Sequence, residues 1–250
     1  MKDKEQDRNA LKEFIQDIFG IQIDKFWWTM RDLSIRPQIV FRNYIIENNN
    51  IYTSPIVYYI TITTFVYIVF SITGINDILQ NDNFHKIIIS FFNGFNDSVK
   101  PDEQYLIEFN EIYNKIFNNK FFDDLLALPG WIFCQFLFFK TTINSVKKTL
   151  FFILYFFSQF AIISFVFSII FYFLIGSEFL DSHLFNYITI IVILIEYIFL
   201  EVKFYNLSPN KIIGKSLVIL ILATLLNLIS LVIFVLLFSI CFLIYYGFIN

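Results

Sequence analysis

Glu196 is a carboxylate set clearly inside an apolar run, where a charge at the centre of a membrane helix costs roughly 2.5 to 3.5 kcal/mol on insertion scales. Three roles are open to it: an ion or proton site, a neutral acid hydrogen-bonded between helices, or a side chain that snorkels from near a helix end. Thr189, Glu196 and Lys203 share one helical stripe, but the last two stand about 10 Å apart along the axis, too far for an ion pair without bending. Asn227, in the next apolar run, is the better-placed partner. His85 and His183 are far apart in sequence, and no helical His pair, carboxylate pair or serine elbow of the kind used by membrane hydrolases accompanies them. Cys134 and Cys241 are the two cysteines, and both fall in apolar runs. They build neither a disulfide framework nor a paired-cysteine zinc site. The sequence thus offers no catalytic set, no cofactor-binding loop and no metal ligands, and an enzyme is the less supported class.

Helices in a bilayer must position these residues. Of the 250 residues 57% are hydrophobic and 21% aromatic, with seven glycines, a composition that a soluble core with a charged surface does not have. The apolar residues gather in runs from Pro55 to Ile75, Leu125 to Phe139, Thr149 to Gly176, Leu184 to Leu200 and Leu217 to Phe248, several as long as the ~20 residues a spanning helix needs. The expected fold is all-α: a polytopic membrane helix bundle of about five transmembrane helices, preceded by cytoplasmic interfacial amphipathic helices. Residues 1–50 form the interfacial part and 51–250 the bundle, with an external helical loop at about 76–124. Leu125 to Phe139 is short and holds Pro129 and Gly130, so it either spans or re-enters. The last run exceeds thirty residues and must tilt, kink or protrude.

Charge orients the bundle. Eight Lys and Arg precede the first run, three lie in 140–148 and three in 201–216, against four in 76–124. Positive charge marks the cytoplasmic side, which places the N-terminus in the cytoplasm and the C-terminus outside, in a multi-pass protein of the cell inner membrane. Met1 to Lys12 is charged and lacks the apolar core of a cleavable signal. The pI of about 5.4 leaves no extended basic surface for nucleic acid. The partners expected are the lipid bilayer and either a protein partner or further copies of the chain.

Leu11, Phe14, Ile15, Ile18 and Phe19 recur at helical spacing before Gly20, the pattern of an amphipathic helix. Phe26 to Leu33 mixes aromatic and basic residues suited to the headgroup level, and Pro37 breaks that helix before a shorter one reaching about Asn48. Ser54-Pro55 supplies the cap and first residue of the first span. Pro101-Asp102-Glu103 opens an acidic amphipathic helix in the external loop. Ser158, Ala161, Ser164 and Ser168 form one small-residue stripe, and Ala223, Asn227 and Ser230 another. Such stripes let helix backbones approach closely, in a packed interior or between chains.

The stretch Phe26-Trp27-Trp28-Thr29-Met30-Arg31-Asp32-Leu33, followed by Arg36-Pro37, Tyr44, Tyr52, Ser54 and Pro55, resembles an uncharacterised bacterial membrane family, domain of unknown function 3667. Its members show a Thr, a basic-acidic-Leu step, Arg-Pro, a Tyr, and then Tyr-x-x-Pro at the first span. Leu128-Pro129 and the region of Tyr205 are similar to later parts of that family. Many members begin with a paired-cysteine zinc ribbon, which has no counterpart here, so the resemblance implies no metal. It implies location and fold, and singles out Arg31, Arg36, Pro37, Tyr52 and Pro55. Their expected roles are two arginines for lipid phosphates, a helix breaker, an interfacial anchor and a helix start.

Three functions follow as expectations: a non-enzymatic accessory or regulatory membrane protein that docks a partner, a self-assembling pore or membrane-perturbing effector such as one in bacterial defence, and a small transporter using Glu196.

Overall fold

The structure, a computed structural model, describes residues 22–75, 111, 120–140, 145–180, 182–205 and 208–249. The amphipathic helix expected at 11–20, the acidic external helix expected after Pro101, and His85 lie outside the described residues.

Every regular element among the described residues is helical. Helix α1 (Ile23–Ile35) stops where Arg36 takes an extended φ of −140° ahead of Pro37, because a residue before proline is crowded out of the helical region. Pro37 opens α2 (Pro37–Val40), which widens into a π-helical stretch at Phe41–Ile46. A Glu47 N–H donating to the Arg42 carbonyl at 2.9 Å closes it. Ser54 then caps α3 (Pro55–Thr73): its hydroxyl accepts from the Val57 N–H at 3.3 Å, Pro55 takes the first helical position, and Gly74, at φ 72°, ends the helix.

The remaining helices are α4 (Lys120–Phe139), α5 (Val146–Leu174), the single turn α6 (Ser177–Leu180), α7 (His183–Tyr205) and α8 (Pro209–Ile249). Four of them, α3, α5, α7 and the Ile212–Phe238 part of α8, are long and apolar enough to cross a membrane, and Leu126–Phe139 of α4 is a shorter apolar stretch. Helix α4 runs unbroken through Pro129. At 41 residues, α8 is about 60 Å long, twice the ~30 Å of a hydrocarbon core. Large apolar side chains such as Ile72, Ile191, Ile195 and Ile221 face outward, as lipid contact requires. The chain is an all-α bundle of membrane-spanning character.

Its core is concentrated at one end. The start of α3 (Tyr58, Tyr59), the end of α4 (Cys134, Gln135, Phe139), the start of α5 (Phe152 to Ser158), the end of α7 (Tyr197, Leu200, Glu201) and the start of α8 (Ile212, Ser216, Ile219) are all buried, so successive long helices run in alternate directions. The N-terminal helices close this same end. Phe41 sits between Phe152 and Phe204, with ring centroids 5.4 and 4.7 Å away, and Phe26 lies 5.2 Å from Tyr58.

Close approach of α4 to α8 depends on Gly130. A Cβ there would stand 3.1 Å from Leu226 Cβ and 3.5 Å from the Ala223 carbonyl, so this glycine and the buried Ala223 form the small-residue contact. Ser158, Ala161 and Ser168 are likewise buried inside the chain, the interior reading of that stripe.

Candidate functional site

Two buried polar clusters and one groove occupy the closed end. The first cluster fastens α1 to the bundle around Asp32, whose side chain is only 6% exposed. Arg31 Nε donates to Asp32 Oδ1 at 2.8 Å, Arg36 Nη2 reaches the same oxygen at 3.3 Å, and the Tyr52 hydroxyl donates to Oδ2 at 2.9 Å. Arg31 and Asp32 are sequence neighbours, while Arg36 lies one turn on, so the helix itself assembles the acceptor and its two cations. The Arg31 hydrogen bond, joined by those of Tyr52 and Arg36, outweighs desolvation and holds the Asp32 carboxyl below its usual range. Burial, with Asp32 as neighbour, pushes the Tyr52 phenol up to about 12, so it stays a donor.

Neighbouring bonds extend the joint. The Thr29 hydroxyl donates to the Lys25 carbonyl at 2.7 Å and accepts the Thr53 N–H at 2.9 Å. Tyr155 of α5 donates to the Thr53 carbonyl at 2.7 Å. Gln159 of α5 donates to the Tyr58 hydroxyl at 3.1 Å, and Ser34 Oγ stands 3.3 Å from Gln159 Oε1. The last turn before the first long helix is thus tied to α1 on one side and α5 on the other.

The second cluster lies among α4, α7 and α8. Glu201 is fully buried. Gln135 Nε2 donates to Glu201 Oε1 at 2.9 Å and to the Tyr205 hydroxyl at 2.7 Å, while Tyr197 donates to Gln135 Oε1. Ser216 Oγ contacts Glu201 Oε2 and also bonds the Ile212 carbonyl at 3.0 Å. The Phe139 and Tyr205 rings stack beside it at 3.9 Å.

The groove lies outside these clusters, between the α2–π segment and the end of α7. It encloses about 880 Å³, with Ile39, Ile46, Val202 and Phe204 among its apolar lining and Arg42 and Lys203 as its cations. Arg42 Nε pairs with Glu47 at 2.8 Å. A π-helical stretch on its wall is the kind of irregularity that often accompanies a functional surface.

The residues singled out in the sequence fall unevenly on this map. Arg31, Arg36 and Tyr52 meet at Asp32, so both arginines pair with a carboxylate of the chain itself, where lipid phosphates were expected. Pro55 is buried at the start of α3. Glu196 is half-buried on α7 with no hydrogen bond or ion pair among the described residues, and none joins it to Asn227, which lies on α8 beside Gly130. His183 opens α7. Among the described residues no three His, Cys, Asp or Glu side chains converge as metal ligands, and both thiols are free, Cys134 buried and Cys241 exposed.

Sequence reasoning missed Glu201 because Lys203, Lys211 and Lys215 make residues 201–216 look like a loop. A signal was available: Tyr197, Glu201 and Tyr205 recur every fourth residue, one face of a continuing helix. Asp32 was read as one letter of a motif and not as its hub.

Neither a curated protein nor a solved structure matches this chain. Residues 24–67, which hold α1, the π segment and most of α3 and therefore every partner of Asp32, match the family model described as "Protein of unknown function (DUF3667)".

Proposed function

We propose that this is a non-enzymatic accessory membrane protein, multi-pass in a cell inner membrane with its N-terminus cytoplasmic and its C-terminus external, that docks a partner at its cytoplasmic end. The observation that carries the reading is the groove at the end of the bundle closed by α1, α2 and the π segment. Its walls come from two elements held in register by aromatic packing, Phe41 on Phe204 and Phe152 on Phe204, so it is preformed, as binding sites usually are. Its apolar lining, with Lys203 as the positive charge left over beside the Arg42–Glu47 pair, suits a segment that is apolar on one side and carries an acidic residue on the other. The excess of Lys and Arg on this side supports the orientation.

The alternatives draw less support. A self-assembling pore would use the small-residue stripes between chains, yet Ser158, Ala161, Ser168 and Ala223 are buried within one chain. A transporter centred on Glu196 would give that side chain a partner across the helix interface.

Photo-crosslinking of the full chain in its own membrane tests the docking reading. A crosslinker at Ile39 or Val202 should trap one other protein, and Ile46→Asp should abolish the adduct while the bundle stays folded. A crosslinker at the lipid-facing Ile190 should trap none. If the groove positions trap only lipid, or purification in mild detergent recovers this chain alone as a conducting ring, the reading is wrong.

A further inference from the structure

We propose that Glu201, framed by Gln135, Tyr197, Tyr205 and Ser216, is a proton-binding site whose bound proton fastens α4, α7 and α8 together. This goes beyond the docking reading and does not depend on it.

Full burial without an ion pair carries the argument, and the hydrogen bonds are compatible with it. Both N–H bonds of the Gln135 amide are committed, one to Glu201 Oε1 and one to the Tyr205 hydroxyl, and its oxygen accepts from Tyr197, whose hydroxyl also lies within reach of Glu201. Glu201 Oε2 faces Ser216 Oγ, and that same hydroxyl sits 3.0 Å from the Ile212 carbonyl, the back-bond serine commonly makes one turn earlier in a helix. A serine hydroxyl has one hydrogen. With Glu201 ionised, that one hydrogen is shared between Oε2 and the Ile212 carbonyl, which also accepts a helix N–H. With a proton on Oε2, the acid donates to Ser216 and Ser216 donates to Ile212, so this relay holds one hydrogen per contact.

Among the described residues no cation forms an ion pair with the carboxyl. Glu201 is 0% exposed, and the ion pairs between described residues at this end of the bundle centre on Asp32 and Glu47, not on Glu201. Several charged groups on the elements packed around it have other contacts. Lys215 of α8 is near enough to act on the carboxyl through its charge, but it makes no ion pair with it, reaching the Phe138 carbonyl at 3.3 Å and lying over the Phe139 ring. Lys203 of α7 lies over Phe199, and Lys147 of α5 over Phe151. Arg42 of the π segment is paired with Glu47. The described part of α4 from Leu126 to Phe139 holds Cys134 as its one ionisable side chain. Glu196 on α7 has no hydrogen bond or ion pair to the cluster among the described residues. A buried acid without a counter-ion is stabilised by keeping its proton.

Infrared difference spectra of the full chain in zwitterionic nanodiscs read the proton directly. Near neutral pH the wild type should show the carbonyl band of a protonated carboxyl, Glu201→Gln should lose it, and Glu196→Gln should keep it. Across the pH range where the unfolded acid is ionised and the folded one is not, the wild-type folding equilibrium should fall about tenfold per pH unit relative to Glu201→Gln. If Glu201→Gln does not fold, Ser216→Ala decides: losing the acceptor should shift the band. A wild type without the band, a band that survives Glu201→Gln or is unmoved in Ser216→Ala, or stability that follows sodium at fixed pH would overturn the proposal.

Discussion

Removing one oxygen, in Tyr52→Phe, tests how α1 is held. The phenol donates to Asp32 Oδ2 at 2.9 Å, and both side chains are buried, Tyr52 at 7% and Asp32 at 4% exposure. A hydrogen bond to a charged acceptor contributes about 1.5–3 kcal/mol, so the variant should open the α1 joint roughly ten- to hundredfold more often. Arg31 and Arg36 are about half exposed, and exposed ion pairs contribute little. Arg31→Ala and Arg36→Ala should therefore have smaller effects than Tyr52→Phe. Amide hydrogen exchange of residues 23–46 in nanodiscs measures the opening, since local unfolding exposes these amides without melting the bundle. A cycle of Asp32→Ala with Tyr52→Phe should give a coupling of about 0.5–3 kcal/mol. Acid supplies a second axis. Because the folded Asp32 carboxyl is held below its usual value, chiefly by Arg31, its contribution is complete above about pH 4 and is lost as pH falls through the lowered folded value. Equal exchange in wild type and Tyr52→Phe, or a larger effect from Arg31→Ala, would refute the reasoning.

Other substitutions probe other joints. Tyr155→Phe removes the donor to the Thr53 carbonyl at 2.7 Å and should cost about 1–3 kcal/mol, seen as a lower thermal midpoint and faster exchange at the start of α3. Gly130→Leu pushes a side chain into Leu226 and the Ala223 carbonyl; overpacking of this kind costs about 1–3 kcal/mol, and thermal unfolding in detergent should register it. Glu196→Gln should leave the thermal midpoint unchanged, since no bond of that carboxyl is lost; a clear shift would mean that it has a partner.

Periodicity and length reveal most of the helices. The apolar runs recover α3, α5, α7 and α8 because lipid demands near-continuous apolar side chains, and Pro37 and Ser54-Pro55 mark true boundaries because proline and capping rules act locally. The sites were harder to read. Asp32 needs Tyr52, twenty residues on, and the course of the chain between them is set by a π stretch that no simple repeat announces. Glu201 needs Gln135 and Ser216, on helices brought together by packing, and the lysines around it give its segment the composition of a loop. The sequence stressed Glu196 because it stands out against Ile and Leu, yet contrast with neighbours measures the cost of a charge and says nothing of whether another helix meets it.

The uneven core links these features. Burial is dense where α1 and the π segment close the bundle and thins along the far halves of α5 and α8, where Phe173, Leu174, Leu237 and Ile244 face outward. In lipid an apolar surface gains little by being covered with another apolar surface. Helices there associate through close packing and hydrogen bonds, and both are supplied at the closed end: Gly130 against Ala223, Asp32 with Tyr52, and Gln135 with Glu201. The segment from 24 to 67 that matches the family model contains Asp32 and the three side chains bonded to it, Arg31, Arg36 and Tyr52. Those residues tie the closed end together, so the docking proposed at the groove should fail whenever the joint fails, with no groove residue altered. Tyr52→Phe should therefore weaken crosslinking at Ile39 as well as loosen α1. If it loosens α1 and leaves crosslinking untouched, the groove does not depend on the joint and is held by the Phe41 and Phe204 packing alone.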